Sequence, residues 1–172
     1  IGNFVGAIPL ASVNLIMPFI TVVWGVILMF VSGSAVIAGK YLGEDNPNSA
    51  CDIFSKTVVI IFVAMILLSI ISYFSPEYIS FLLGARNETL AMCVEYLKNI
   101  AWFYPIFGFA VLMSYFLRID GRPIYAFCGL LSTTIANILL DYIFVARLDL
   151  GLKGAALATG LAFVIGMTVV LP

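Results

Sequence analysis

The charged residues of this chain are gathered into short clusters, and the long uncharged stretches between them constrain the fold more than any other feature. Residues 1–39 carry no charge, and further uncharged runs cover 57–76, 99–117 and 154–172. A helix of about 20 apolar residues crosses the ~30 Å hydrocarbon core of a bilayer, because each residue adds ~1.5 Å along the axis. Uncharged stretches of this length therefore predict membrane spans.

The composition supports a membrane environment. Only 10% of the 172 residues are charged, against about 25% in an ordinary soluble domain. The mean hydropathy is +1.17, and a soluble fold of this size cannot bury so much apolar surface. We therefore predict an all-α, polytopic membrane helix bundle with about five transmembrane helices.

The approximate bounds of the five helices follow from the charge clusters. We predict long helices near residues 10–38, 54–74, 90–117, 122–145 and 153–171. Gly2, Gly6 and Pro9 predict a turn before the first helix, because 39 helical residues would be about twice the length needed. The first residue is Ile1, and the last span reaches Pro172 without a polar anchor. We therefore expect the chain to be an excerpt of a longer protein.

Several classes of function lack their usual residues. The net charge is −1 without a basic block, which argues against nucleic acid as a partner. The chain has no His, and Cys51, Cys93 and Cys128 show no C-x-x-C spacing, so we predict no zinc, haem or dithiol cofactor. A membrane-embedded enzyme is one alternative, but the catalytic motifs H-E-x-x-H and G-x-S-x-G are absent. An ion channel is a further alternative.

Asp141 is the one charged side chain well inside a predicted span. A carboxylate near the bilayer centre costs about 2.5–3.5 kcal/mol, so such residues usually face a cavity or a partner and serve function. Asn137 lies four residues earlier and Thr133 eight residues earlier, which places all three on one face of a helix. Lipid does not suit such a polar face, so we expect it to point into the protein.

Thr159 is the expected partner of Asp141 on the next helix. Asp141 precedes Arg147 by six residues and Thr159 follows Lys153 by six, so both lie ~9 Å inward from the same loop. Small residues at 154–160 allow close approach of the two backbones. The predicted site joins the oxygens of Asp141, Asn137 and Thr159, which suit a hard cation such as Na⁺ or a proton on a desolvated carboxyl group.

The structural alternative for these residues is simpler. Asn137 and Asp141 would form hydrogen bonds that hold helices together, and Thr159 would be a small packing residue.

Two segments carry a resemblance to a known family. Residues 137–144 (NILLDYIF) and 151–159 (GLKGAALAT) closely resemble the fifth and sixth helices of multidrug and toxic compound extrusion (MATE) transporters. Residues 33–43 and 118–123 are similar to that family's connections between helices two and three and between helices four and five. The resemblance extends over essentially all 172 residues.

The resemblance implies that this chain corresponds to helices 2–6, in the N-terminal lobe of a twelve-helix antiporter in the plasma (inner) membrane. A C-terminal lobe related by pseudo-symmetry would be missing, which predicts an apolar surface with small residues that face a cleft. In one branch of the family an N-lobe cation site contains residues that match Asn137, Asp141 and Thr159. Its helix-one acid would precede Ile1. The resemblance places 40–56 and 118–123 in the cytoplasm, whereas the loop Lys and Arg residues, four on each side, do not decide the orientation.

The implied function is secondary active antiport that exports amphipathic, often cationic, organic compounds in exchange for H⁺ or Na⁺. The expected partners are a small-molecule substrate, the lipid bilayer and the missing lobe. A lipid-linked oligosaccharide flippase of the same superfamily is the nearest alternative. Such a flippase needs basic residues in its central cavity for pyrophosphate, and no Lys or Arg lies deep in the five spans.

Overall fold

The computed structural model describes residues 7–170, and almost all of them are helical. In chain order the helices are α1 (Ala7–Gly43), α2 (Pro47–Phe74), α3 (Pro76–Leu82), α4 (Asn87–Ala101), α5 (Tyr104–Ile119), α6 (Pro123–Asp141), a π-helical continuation of α6 (Tyr142–Arg147) and α7 (Gly151–Val170). The range 7–170 contains no strand. The predicted all-α fold is therefore confirmed.

Four helices in residues 7–170 are long and apolar enough to cross a membrane: α1, α2, α6 with its π-helical continuation, and α7. The helices α4 and α5 meet the same test only as a pair, and their axes differ by 54°. Counted as one broken span, the pair makes the fifth, in agreement with the prediction of about five transmembrane helices.

The single long helix predicted at 90–117 is wrong, because α4 ends at Ala101 and α5 begins at Tyr104. Pro105 explains the break: it has no N–H to donate to the Ala101 carbonyl, and in a continuous helix its ring would clash with that group. The Ser69 hydroxyl of α2 donates a 2.7 Å hydrogen bond to the Ala101 carbonyl instead. A side chain from a neighbouring helix therefore supplies the hydrogen bond that the carbonyl group at the break lacks.

The other predicted segments lie on helices, with one local difference. The segment 10–38 lies on α1 and 54–74 on α2. Of 122–145, all but the N-cap residue Arg122 lies on α6 and its continuation. Of 153–171, residues 153–170 lie on α7, and 171 lies outside the described residues. Pro9 lies inside α1 rather than in a turn. The first turn of a helix accommodates proline, because no intrahelical bond needs its N–H. Gly2 and Gly6 lie outside the described residues.

The core lies between α1, α2, α4 and α5, and α7 closes it on one side. Its largest buried side chains include Ile27, Met65, Leu97, Tyr104 and Leu112. The helices α6 and α7 approach closely, because a carbon atom added at Gly166 would lie 2.9 Å from the Gly129 carbonyl oxygen. Small residues of α7 therefore bring its backbone against the helix that carries Asn137 and Asp141.

The turn between α5 and α6 gives a test of backbone strain. Gly121 adopts φ +79°, and no neighbouring atom lies within 4 Å of where its Cβ would be. We expect Gly121→Ala to lower stability by about 1–2 kcal/mol, because an L side chain disfavours this region of φ. Gly121→Asn should cost less, because Asn adopts this conformation more readily. Thermal unfolding in detergent measures both, and an equal loss would contradict the argument.

Candidate functional site

The structure brings Asn137 and Thr159 together across the α6–α7 hairpin. The Asn137 Nδ2 group donates to the Thr159 Oγ1 atom at 3.4 Å, and both residues are half-buried. The Thr159 hydroxyl in turn donates to the Ala155 carbonyl of its own helix at 3.0 Å. Since its hydrogen points to Ala155, the Thr159 oxygen presents its lone pairs to α6.

Asp141 is half-buried at the end of α6, one α-helical turn beyond Asn137. No described residue gives a hydrogen-bond partner to its buried Oδ1 atom. Within the same range, no hydrogen bond joins Asp141 to Asn137 or Thr159. A buried carboxylate oxygen without a partner is costly, and a water molecule, a proton or a cation would each relieve that cost.

The helix changes its geometry directly after Asp141. Residues 142–147 form a π-helix, in which each carbonyl bonds to the N–H five residues ahead. π-Helical turns within longer helices are frequent at functional sites. The extra residue per turn rotates the chain after Asp141 relative to a continuous α-helix.

Thr133 continues the predicted polar stripe but does not join the site. Its hydroxyl donates to the Gly129 carbonyl at 2.9 Å, and its side chain fills the space beside Gly166. Thr133 therefore packs α6 against α7, two turns of helix away from Asp141.

Tyr96 belongs to this region, although the sequence did not single it out. It lies on α4, is 8% exposed, and is close enough to Asp141 for the two groups to interact electrostatically. Forty-five residues separate them in the chain, and no local spacing relates α4 to α6. The only sequence signal is a hydroxyl-bearing aromatic residue on the apolar face of α4.

The donor set of this region consists of oxygen atoms: the Asp141 carboxylate, the Asn137 amide, the Thr159 hydroxyl and, further away, the Tyr96 hydroxyl. Hard cations prefer such ligands. No group of three or more His, Cys, Asp or Glu residues in the described range could hold a metal ion. The arrangement therefore suits a proton or a monovalent cation better than a transition metal.

One face of α1 is small and polar although it is exposed. Asn14, Thr21, Gly25 and Ser32 are exposed and follow one another at intervals of seven, four and seven residues. These intervals place them on one side of the helix. Among the described residues, no atom outside the adjoining turns of α1 lies within 4 Å of where a Cβ at Gly25 would be. Such a face suits a water-filled cleft or another part of the protein better than lipid.

A cavity of about 220 Å³ lies between α5, α6 and α7. Small and aliphatic residues make up most of its wall, which also contains three aromatic rings, two methionines and one positive charge: Trp24, Tyr115, Phe163, Met113, Met167 and Arg118. The Arg118 guanidinium lies 5.7 Å from the centre of the Tyr115 ring. The cavity is therefore mainly apolar, as is typical of sites for organic small molecules.

Four to five candidate membrane spans in residues 7–170 define a polytopic membrane protein, and its half-buried acid lies one helical turn from a paired amide and hydroxyl. The sequence profile of the MatE family matches residues 1–143. The chain therefore belongs to the MatE family of membrane transporters, which are not enzymes.

Curated relatives include the multidrug export protein MepA of Staphylococcus saprophyticus, which is 28% identical over 156 residues. The match covers 91% of this chain and 35% of that protein. MepA of Staphylococcus aureus is also 28% identical, over 89% of this chain and 34% of that protein. The chain thus spans about a third of the length of these relatives.

Solved structures show the same fold. An outward-facing multidrug resistance MATE family transporter superposes with a TM-score of 0.91 at 22% identity, over 96% of this chain and 37% of that chain. An inward-facing one gives a TM-score of 0.89 at 21% identity, over 95% and 37% of the two chains. The fold of this lobe therefore matches both conformations nearly equally well.

Proposed function

We propose that the full-length protein is a secondary active antiporter that exports amphipathic, often cationic, compounds in exchange for H⁺ or Na⁺. The observation that carries the proposal is the Asn137–Thr159 contact one helical turn from the unpartnered Asp141 oxygen. The names of the relatives, multidrug export proteins, support the efflux part.

Asp141 is the coupling group in this proposal. A proton neutralises it directly, or a sodium ion binds to it together with the Asn137 and Thr159 oxygens. Either ion removes an uncompensated charge from the bundle interior and so favours the conformation in which the site is closed. Coupling needs this difference, because an ion that binds both conformations equally shifts neither.

The substrate path in this proposal uses two surfaces of the lobe. The polar face of α1 borders a cleft, and the aromatic cavity between α5, α6 and α7 accepts the apolar body of a drug. Aromatic ring faces also attract organic cations. The lobe contributes one wall of the path, and the part of the protein beyond this chain contributes the other.

Proteoliposomes that contain the full-length protein test the antiport. We expect either an imposed pH gradient or a sodium gradient to drive ethidium transport, and collapse of that gradient to stop it. Transport that neither gradient drives would contradict the proposal. A fluorescent lipid-linked oligosaccharide should not cross the membrane, whereas its translocation would favour the flippase alternative.

The Thr159 hydroxyl gives a finer test. We expect Thr159→Val to weaken the apparent affinity for the coupling ion about fivefold, because one oxygen worth ~1 kcal/mol is lost while the shape stays similar. Thr159→Ser keeps the oxygen and should transport like the parent. The ion concentration at half-maximal efflux measures both variants, and equal values for Val and Ser would identify Thr159 as a packing residue.

A further inference from the structure

Two adjoining cavities lie at the end of the bundle where α2 meets α3. The first, about 110 Å³, is an apolar notch beside the α4–α5 break, lined by Tyr73, Phe74 and Trp102 among others. The second, about 480 Å³, is more polar and is lined by Glu77, Tyr78 and Lys98 among others. Tyr73 and Phe74 line both cavities. Together they form one continuous surface with an apolar half and a charged half.

The α4–α5 break creates the apolar half. The hydrogen bond from Ser69 to the Ala101 carbonyl holds the break against α2. Trp102 then points outward with 68% of its surface exposed, and its ring contacts Tyr73 edge-on with 5.3 Å between ring centres. Phe74 is 77% exposed, and its ring also contacts Tyr73 edge-on, with 5.4 Å between ring centres. Exposed aromatic rings at the end of a span are typical of the membrane interface.

The charged half carries one charge of each sign. Glu77 and Lys98 both line the polar cavity. In residues 7–170 neither of them forms an ion pair, since the ion pairs found there are Lys40–Glu44, Lys56–Asp52 and Arg122–Asp120. The two charged groups are thus more than 4 Å apart on the wall of one cavity. A ligand with a negative and a positive group side by side complements this arrangement.

We propose that this surface binds a zwitterionic glycerophospholipid with a phosphoethanolamine headgroup. Its phosphate contacts Lys98, its primary ammonium donates to Glu77, and one acyl chain lies in the notch against Phe74 and Trp102. Tyr78, 70% exposed beside the same cavity, offers a hydroxyl at headgroup level. The proposal is independent of the transport function, because it uses none of the residues of the coupling site.

The charges favour this headgroup over two common others. A phosphatidylglycerol headgroup carries a net negative charge, and Glu77 would repel it. A phosphatidylcholine headgroup has a quaternary ammonium, which cannot donate a hydrogen bond to Glu77. Phosphatidylethanolamine is therefore the headgroup that satisfies both side chains.

Lipid titration of the full-length protein in detergent, followed by native mass spectrometry, tests the proposal with three lipids of identical acyl chains. We expect phosphatidylethanolamine to bind about fivefold more tightly than phosphatidylglycerol or phosphatidylcholine, the most that one exposed ion pair usually contributes. Lys98→Gln should weaken the binding of all three lipids, because their phosphates lose their partner. Glu77→Gln should remove the phosphatidylethanolamine preference, because the carboxylate that pairs with the ammonium and repels phosphatidylglycerol is lost. Lys98→Arg should retain this preference, and so should the distant variant Lys153→Gln.

Trp102→Ala tests the apolar half. It should weaken the binding of all three lipids equally, because it removes contact with the acyl chain only. The proposal is overturned if the three lipids bind equally, or if phosphatidylglycerol binds most tightly. It is also overturned if the phosphatidylethanolamine preference persists in Glu77→Gln, or if Lys98→Gln binds all three lipids as tightly as the parent. Tighter phosphatidylglycerol binding would indicate a simple anion contact at Lys98.

Discussion

Replacing Asp141 with Asn is expected to abolish ion-driven efflux by the full-length protein while membrane insertion and folding remain largely intact. The amide keeps the shape of the carboxyl group, and it still forms hydrogen bonds. It cannot take up a proton, however, and it carries no charge to attract a cation. Drug efflux and membrane abundance, measured side by side on the same cells, give the result.

Asp149→Asn is the matched control, because it makes the same chemical change at an exposed residue between the π-helix and α7. Its φ of 51° also suits Asn. We expect normal efflux from this variant. Normal efflux at normal abundance for Asp141→Asn would instead eliminate Asp141 as the coupling carboxylate and support the alternative in which it only holds helices together.

Replacing Gly160 with Leu is expected to have the largest effect on stability. A Cβ at Gly160 would overlap the ring of Phe103, which lies in the α4–α5 break and stacks on Phe107. Overpacking of this kind costs about 3 kcal/mol or more when the neighbour cannot move. Folded protein in the membrane and the unfolding temperature in detergent should both fall, in contrast to Asp141→Asn.

A double variant tests whether the Phe103 ring is the cause. Gly160→Leu combined with Phe103→Ala frees the space that the leucine needs, so the two changes should together cost less than the sum of their separate effects. Gly33→Ala is the control on another helix, because no packed neighbour in the described part of the chain lies within 4 Å of its added Cβ. The packing argument would be refuted if the losses of stability in the double variant were additive. It would also be refuted if Gly33→Ala lost as much stability as Gly160→Leu.

The pairing of Asn137 with Thr159 is the part of the site that sequence patterns could predict. Helical periodicity relates Asn137 to Asp141, and equal depth below one short loop relates α6 to α7. Both relations are local, and the structure places the Asn137 amide 3.4 Å from the Thr159 hydroxyl. The sequence also predicts that the Asp141 oxygens converge with these two residues within one cation shell or one bridging water. In the described range no hydrogen bond joins Asp141 to either residue, and the convergence around an ion stays a prediction.

The break between α4 and α5 could not be predicted from the sequence. Pro105 was visible in the sequence, but a proline in a membrane span either kinks the helix or ends it, and neighbouring helices decide which. Here the Ser69 hydroxyl donates a hydrogen bond to the Ala101 carbonyl, and the two helices that meet at the break have axes 54° apart. Thirty-two residues separate Ser69 from Ala101, and no periodicity connects them.

The sequence by itself determined the membrane environment, the all-α class and the number of spans. Hydropathy and the spacing of charges act along the chain, and in lipid each backbone N–H and C=O group must bond within its own helix. Only the tertiary structure decided that Tyr96 lies near Asp141, that Gly160 faces Phe103, and that Glu77 and Lys98 share a cavity. These contacts depend on the rotation and the crossing of packed helices, which distant side chains set together and no local pattern records.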